Sequence, residues 1–317
     1  MRTIAVALAV ACAGVQAQEY PARTIRMLTA TSAGGMVDTF GRAYAAHLSQ
    51  RLGQPVVVEN RPGGSQMIAH EAVAKSEPDG YTLSQSSQIG LVFVQATHKN
   101  VPYDPLKDFT HITLLFSSPF YLLVHPTVPV KSLQELIAYA RANPGKLNYG
   151  SIGTGSMHHL GMELLSMRTG VKMVHVPYKG SAQLMPDALS GQIQLMFQGP
   201  TSSIPPAKAG KLRALAITGP ERSQAMPQLP TMAEAGLPDF NIDAWFGLSA
   251  PANLPRPIAE RLHRESMTFL RNKEVAAKFA EQNIDLLPGT PEQFFERVRT
   301  EIPLWTKVMR AAGIQPE

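Results

Sequence analysis

Two short segments concentrate the residue types that bind anions without a charged side chain. Thr31, Ser32, Gly34 and Gly35 lie in the run from Ala30 to Asp38, and Ser151, Gly153, Thr154, Gly155 and Ser156 lie in the run from Tyr149 to His159. Each run follows a short apolar stretch that reads as a strand and opens a stretch that reads as a helix. A helix start leaves its first backbone N–H groups without intrahelical partners and carries partial positive charge, and glycine lets an anion approach that backbone closely. Hydroxyls add donors, and charge-assisted bonds of this kind are each worth ~1.5 to 3 kcal/mol. The implied chemistry is recognition of a small carboxylate held between two lobes. The alternative for the second run is a strand-to-helix turn whose hydroxyls cap only their own helix.

The neighbours of these turns refine the picture. His158 falls in the first helical turn after Ser156, where it can cap or donate. Asp38 reads as an N-terminal helix stabiliser, since its charge would repel a carboxylate. Ser86, Ser87 and Gln88 follow a strand and either line the crevice beyond its carboxyl end or form a solvated loop. Tyr178 and Trp245 read either as pocket walls or as core aromatics. The methionines at 162, 167, 185 and 196 read as core. Adjacent His158 and His159 point about 100° apart on a helix, with no chelating neighbour at a suitable interval, so no metal and no cofactor are expected.

Two enzyme readings fit poorly. A dinucleotide site would place Gly34 and Gly35 in its first turn and Glu59 on the ribose, but the three-glycine fingerprint is missing. In the second turn His158 stands where a third glycine belongs. A hydrolase would need a G-x-S-x-G elbow, which Gly153-Thr-Gly-Ser-Met157 does not match.

The elements that must position these turns alternate as strand and helix. Ile25 to Thr29, Val56 to Val58 and Tyr81 to Ser84 read as strands, with helices over Asp38 to Leu52 and about Gln66 to Lys75 between them. This is βαβαβ, the pattern of an open, mostly parallel sheet. The pattern restarts at Phe120 to Val124, followed by a helix opened by the capping box Ser132-Leu-Gln-Glu135 and closed before Asn143. Strands over Leu147 to Tyr149, Val171 to Val176, Ile193 to Phe197 and Leu212 to Thr218 alternate with helices up to Thr169, over Gln183 to Leu189, and once more. A second capping box, Thr231-Met-Ala-Glu234, precedes a strand over Ile242 to Ala250. Helices starting near Pro257, Lys273 and Pro291 finish the chain, the last with Thr290 as N-cap. Crossings near Phe120 and Trp245 predict a hinge that closes around a ligand. The expected division is a leader over 1–17, one lobe from 18–120 and 246–317, and a second from 121–245.

Composition fits an exported binding protein. Residues 1–17 carry one charge, Arg2, then an apolar run from Thr3 to Val15 and a small-residue cleavage pattern ending at Ala17. The single cysteine, Cys12, lies inside this segment, so no disulfide, thiolate nucleophile or cysteine metal site is expected in the mature chain. A rival use of Cys12 is lipid attachment, but Ala9-Val10-Ala11 lacks the larger aliphatic residue that usually precedes such a site. Lys and Arg number 29 against 24 Asp and Glu, scattered rather than massed, which argues against nucleic acid as a partner. No run approaches the ~18 apolar residues of a membrane helix.

The ordered motifs together resemble one family, the periplasmic substrate receptors of the tripartite tricarboxylate transporters, often called Bug proteins. The matching segments are Ala33-Gly-Gly-x-x-Asp38, Leu52 to Gly64, Pro78 to Leu83, Tyr103 to Phe109, Tyr149-Gly-Ser-x-Gly-x-Gly-Ser156 with His159-Leu160, Val176 to Gly180, and Pro230 to Gly236. The resemblance implies a type II, two-lobed α/β binding fold (the Venus flytrap) without catalysis, acting in the periplasm as a monomer that delivers a small organic acid to membrane permease subunits. It also implies that the turn from Ser151 to Ser156 holds one ligand carboxylate while the first turn closes over the other side, partly through water. Family members commonly carry Pro-Phe where this chain has Ala30-Thr31, so a roomier or more polar first-turn face is expected. A dicarboxylate or an aromatic carboxylate is the expected ligand. The alternatives are an envelope interaction or sensory protein without a transport role, and an exported hydrolase.

Overall fold

The computed structural model describes residues 20–240 and 242–316. The leader expected over 1–17, with Cys12, lies outside the described residues.

The chain first builds a βαβαβ unit. Strand β1 (Ile25–Thr29) leads to helix α1 (Met36–Leu52), whose Phe40, Tyr44, Leu48 and Leu52 recur at four-residue spacing and are all buried. The helix ends at Gly53, which takes φ 74° and returns its N–H to the Ser49 carbonyl, a left-handed cap that favours glycine. Strand β2 (Val56–Asn60), helix α2 (Met67–Ala74) and strand β3 (Thr82–Ser87) follow, with β1 parallel to both β2 and β3. A π-type turn over Ile89–Phe93 runs into the short α3 (Val94–Thr97).

The eleven-residue strand β4 (Phe109–Pro119) comes next. The sequence reading passed over it, because nine of its eleven positions are buried and the run shows no two-residue alternation to announce a strand.

At Phe120 the chain passes to a second sheet. Its elements are β5 (Tyr121–Val124), α4 (Leu133–Ala142), β6 (Asn148–Ser151), α5 (Met157–Thr169), β7 (Val174–Pro177), α6 (Ser181–Ser190), β8 (Leu195–Gln198), α7 (Pro200–Lys208) and β9 (Arg213–Ile217). The chain then returns as β10 (Asp243–Pro251), followed by α8 (Arg256–Leu270), α9 (Lys273–Ala280), β11 (Asp285–Leu286) and α10 (Pro291–Ala311). The strand orders are β11-β4-β10-β3-β1-β2 and β7-β6-β8-β5-β9, so this is an α/β protein built on two sheets.

Although four of six strands in the first sheet and four of five in the second run the same way, both sheets are mixed. The strands that carry the chain between sheets cause this. Strand β10 inserts antiparallel to both β3 and β4, and β5 lies antiparallel to both β8 and β9. The two passages are tied together: the Thr218 hydroxyl accepts the Phe120 N–H at 2.8 Å and donates to the Ile242 carbonyl at 2.6 Å, while the Thr218 N–H reaches the Phe120 carbonyl at 2.9 Å.

The expected caps have three outcomes. Thr290 and Gln293 form a reciprocal capping box at the start of α10. Ser132 caps α4, but Glu135 reaches back to the Lys131 N–H. Thr231 and Glu234 exchange both bonds of a capping box, yet the segment closes as a turn rather than a helix. Helix α10 packs against β4 and against α5, so it touches elements of both sheets. Its Glu301 accepts from Arg297 at 2.8 Å, from the Trp245 indole N–H at 2.8 Å and from the Gln88 amide at 2.7 Å. Trp245 is thereby a core residue of β10, fully buried.

Candidate functional site

Both glycine-rich turns stand where a parallel strand hands over to a helix, at the carboxyl end of β1 and of β6. The same grammar appears a third time at Gln198-Gly199-Pro200, between β8 and α7, where Pro200 takes the first helical position. A cavity of about 500 Å³ joins Met36 at the start of α1 to Pro200, Thr201, Ile204 and Pro205 of α7 and to Glu281–Asn283 after α9. It therefore connects helices that serve different sheets. Met36, Pro200 and Thr201 escaped the sequence reading, although the strand-Gly-Pro-helix signal at 198–200 was visible in it.

The first turn is held by a carboxylate from behind. Asp38 is buried, and its carboxylate accepts the Gly34 N–H at 2.9 Å, Arg42 at 3.0 Å and the Asn60 amide at 2.9 Å. Arg42, foremost, and then Gly34 hold its pKa down to about 2. Asn60 also donates to the Thr31 carbonyl at 3.0 Å, so the turn's backbone is clamped on both sides. Thr31 shares a hydroxyl contact with Thr29 at 3.2 Å, and Ser32, Gly34 and Gly35 are exposed. Helix α1 starts without a side-chain cap, so its leading N–H groups have no cap to compete with a ligand. The Gly34 N–H, in contrast, is spent on Asp38.

The second turn is more self-contained. Ser151 is fully buried; its Oγ meets the Gly153 carbonyl at 3.1 Å, the Gly153 N–H at 3.2 Å and His175 Nε2 at 2.6 Å. Ser156 donates to the Gly153 carbonyl at 2.6 Å and caps α5 by accepting the His159 N–H at 3.4 Å. Gly155 donates its N–H to His159 Nδ1 at 3.1 Å. Gly153 and Gly155 take φ of 120° and 80°, where a side chain would be strained. Thr154 is exposed and makes no side-chain bond among the described residues. The helix start proper, Met157 and His158, offers N–H groups beyond the reach of intrahelical carbonyls.

The other expected site residues divide. Tyr178 donates its N–H to the Ser151 carbonyl at 2.9 Å and its hydroxyl to Asp187 at 2.6 Å; burial, then Asp187, pushes its pKa up to about 12. It buttresses the second turn. His158 packs edge-on against Phe120 with ring centroids 5.1 Å apart, next to the passage between sheets, and burial pushes its pKa down to about 4. Its Nδ1 is buried with no hydrogen-bond partner, and so are Ser84 Oγ, Gln85 Oε1 and Ser86 Oγ along β3 and Gln88 Oε1 just after it. Buried polar atoms without partners are uncommon in folded proteins and mark places where water or ligand is expected. Ser87 is engaged with Gln66 of the preceding segment and with the Gly90 N–H. His175, on the neighbouring strand β7, was missed because its role depends on strand register: it pairs with Tyr149, two residues before Ser151.

The fold matches that of known receptors. The family model described as "Tripartite tricarboxylate transporter family receptor" matches residues 40–314. Protein BugT of Bordetella pertussis is 36% identical over 311 residues, covering 98% of this chain and 95% of BugT. Among solved structures, Rpa4515 of R. palustris with adipate is 35% identical with a TM-score of 0.72, covering 94% of this chain and 100% of that one. MatC of Rhodopseudomonas palustris with bound malate is 31% identical with a TM-score of 0.67, covering 91% and 99%. The chain belongs to the tripartite tricarboxylate transporter receptor family of periplasmic solute-binding proteins.

Proposed function

We propose that the protein is an extracytoplasmic receptor for a small dicarboxylate, which it carries as a non-catalytic monomer to the permease of a tripartite tricarboxylate transporter. The supporting observation is the pairing of two glycine-rich helix starts on separate sheets, the first with its Asp38 charge paired to Arg42, with orphaned buried polar atoms at Ser86 and His158. Two anionic ends suit two helix starts. Relatives that hold adipate and malate, each with two carboxylates, point the same way.

In this reading the lobes are 18–120 with 246–317, and 121–245, and residues 1–17 direct export. The first turn offers Thr31, Ser32, Gly35 and the α1 start. The second offers Thr154 and the α5 start, with Ser151, Gly153, Gly155, Ser156 and Tyr178 shaping the turn and Gly34 shaping the first. An aromatic carboxylate is the second reading, favoured by Thr31, which leaves room where an aromatic side chain is usual in the family.

Calorimetry with adipate, malate and benzoate tests this. Binding of at least one is expected, with thermal stabilisation of about 2.7 kcal/mol at ~100 times the dissociation constant. Binding only of uncharged sugars or amines would overturn it, and turnover of esters or amides would revive a hydrolase.

A further inference from the structure

Beneath the second turn three rings stack. Tyr149 and His175 have centroids 5.0 Å apart at 18°, and His175 and His159 lie 3.9 Å apart at 13°. The two imidazoles each hold one corner of the turn, and proton counting fixes how. Ser151 has a single hydroxyl hydrogen. The arrangement that satisfies every contact has His175 Nε2–H donating to Ser151 Oγ, the Ser151 hydroxyl donating to the Gly153 carbonyl, and the Gly153 N–H donating to Ser151 Oγ. Nδ1 of His159 accepts the Gly155 N–H and must be bare, which places its proton on Nε2, facing Glu163 at 4.0 Å. Glu163 in turn accepts the Tyr149 hydroxyl.

We propose that His159 and His175 are positioning residues for the second turn, and that His159 holds it in its ligand-receiving shape only while its imidazole is neutral. A proton on His159 Nδ1 would confront the Gly155 N–H donor to donor and set a cation against the neighbouring ring. The bond that holds Gly155 in its left-handed backbone conformation would then be lost. The groups that face the pair are Tyr149 from β6, Glu163 from the next turn of α5 and the two rings themselves, while from the tail after α10 the apolar Ile314 approaches Gly155. Burial lowers the pKa of both rings, that of His175 to about 4 with His159 adding to the effect, so both are neutral at ordinary pH. The ligand consequence rests on the proposed carboxylate reading; the turn geometry does not.

The test has two arms on the full chain. Nitrogen NMR of the imidazoles and of the Gly155 amide needs no ligand. At neutral pH, His159 should show a bare Nδ1, and on acidification its ring and the Gly155 amide should shift together with a midpoint below the ordinary 6.5. An Nδ1–H tautomer, or a Gly155 amide indifferent to the ring, overturns the inference. In the second arm, calorimetry with adipate compares His159→Leu and His159→Asn with the wild type, each checked for folding by its melting curve. Leucine should weaken binding about tenfold, the worth of one lost hydrogen bond, while asparagine, whose amide oxygen replaces Nδ1 and cannot titrate, should stay within about threefold. The ratio of wild-type to asparagine Kd should rise as pH falls, with the ligand's own titration cancelling. A folded leucine variant that binds like the wild type, or a flat ratio, overturns positioning. If the wild type binds none of adipate, malate and benzoate, the functional reading fails and the NMR arm alone decides this one.

Discussion

The two turns share a sequence grammar but are stabilised by opposite means. The first is clamped by an ionised carboxylate: Asp38 gathers Gly34, Arg42 and Asn60, and leaves Ser32 and Gly35 exposed. The second is clamped by neutral rings and a buried hydroxyl, with Ser151, His159 and His175 consuming most of its own polar groups. An Asp held near pKa 2 keeps its charge at any physiological pH, whereas an imidazole acceptor works only while unprotonated. One turn is thus a fixed jaw, and the other is a jaw whose shape depends on protonation. Similar glycine spacing does not imply similar electrostatics.

Four substitutions would break or sharpen this contrast, from the largest expected effect downward. Asp38→Ala removes three bonds to a charged acceptor and should cost about 3 kcal/mol of stability, read by chemical denaturation. The folded pKa of Asp38, about 2, lies below its ordinary 3.8, so its contribution is present above the ordinary value and fades as pH falls towards 2. The gap between wild type and variant should therefore narrow over that window, and a gap independent of pH would contradict the clamp. Ser151→Ala should cost about 2 kcal/mol, because it strands the Gly153 N–H and His175; a larger loss than for Asp38→Ala would reverse the ranking of the turns. Ser156→Ala removes an N-cap and should cost about 1 kcal/mol, with every ligand weakened. Thr31→Phe should leave stability within about 0.5 kcal/mol while reordering the acids bound in a calorimetric panel. Equal effects of Ser156→Ala and Thr31→Phe on every acid would erase the distinction.

Local chemistry made much of this legible in the sequence. The left-handed cap at Gly53, the Thr290 box and the helix stripe of Phe40, Tyr44 and Leu48 are written in neighbouring residues, and so are both glycine-rich turns. What stayed hidden depends on partners far along the chain. Strand β4 carries no alternation because neighbours cover it on both faces, and the Thr231 box could not show that its segment ends as a turn. His175 gains its role only from lying beside Tyr149 in the sheet, and the spent hydroxyls of Ser151 and Ser156 could be recognised only once Gly153 had been folded back onto them.

The clamp on the first turn has a consequence for how such receptors diverge. Asp38 grips backbone and distant side chains, never the side chains of Thr31 or Ser32. Those two positions can therefore mutate without loosening the scaffold that presents them. Under the proposed function, acid preference at this lip can change separately from folding, and a library confined to residues 31 and 32 is where a new preference should first be sought.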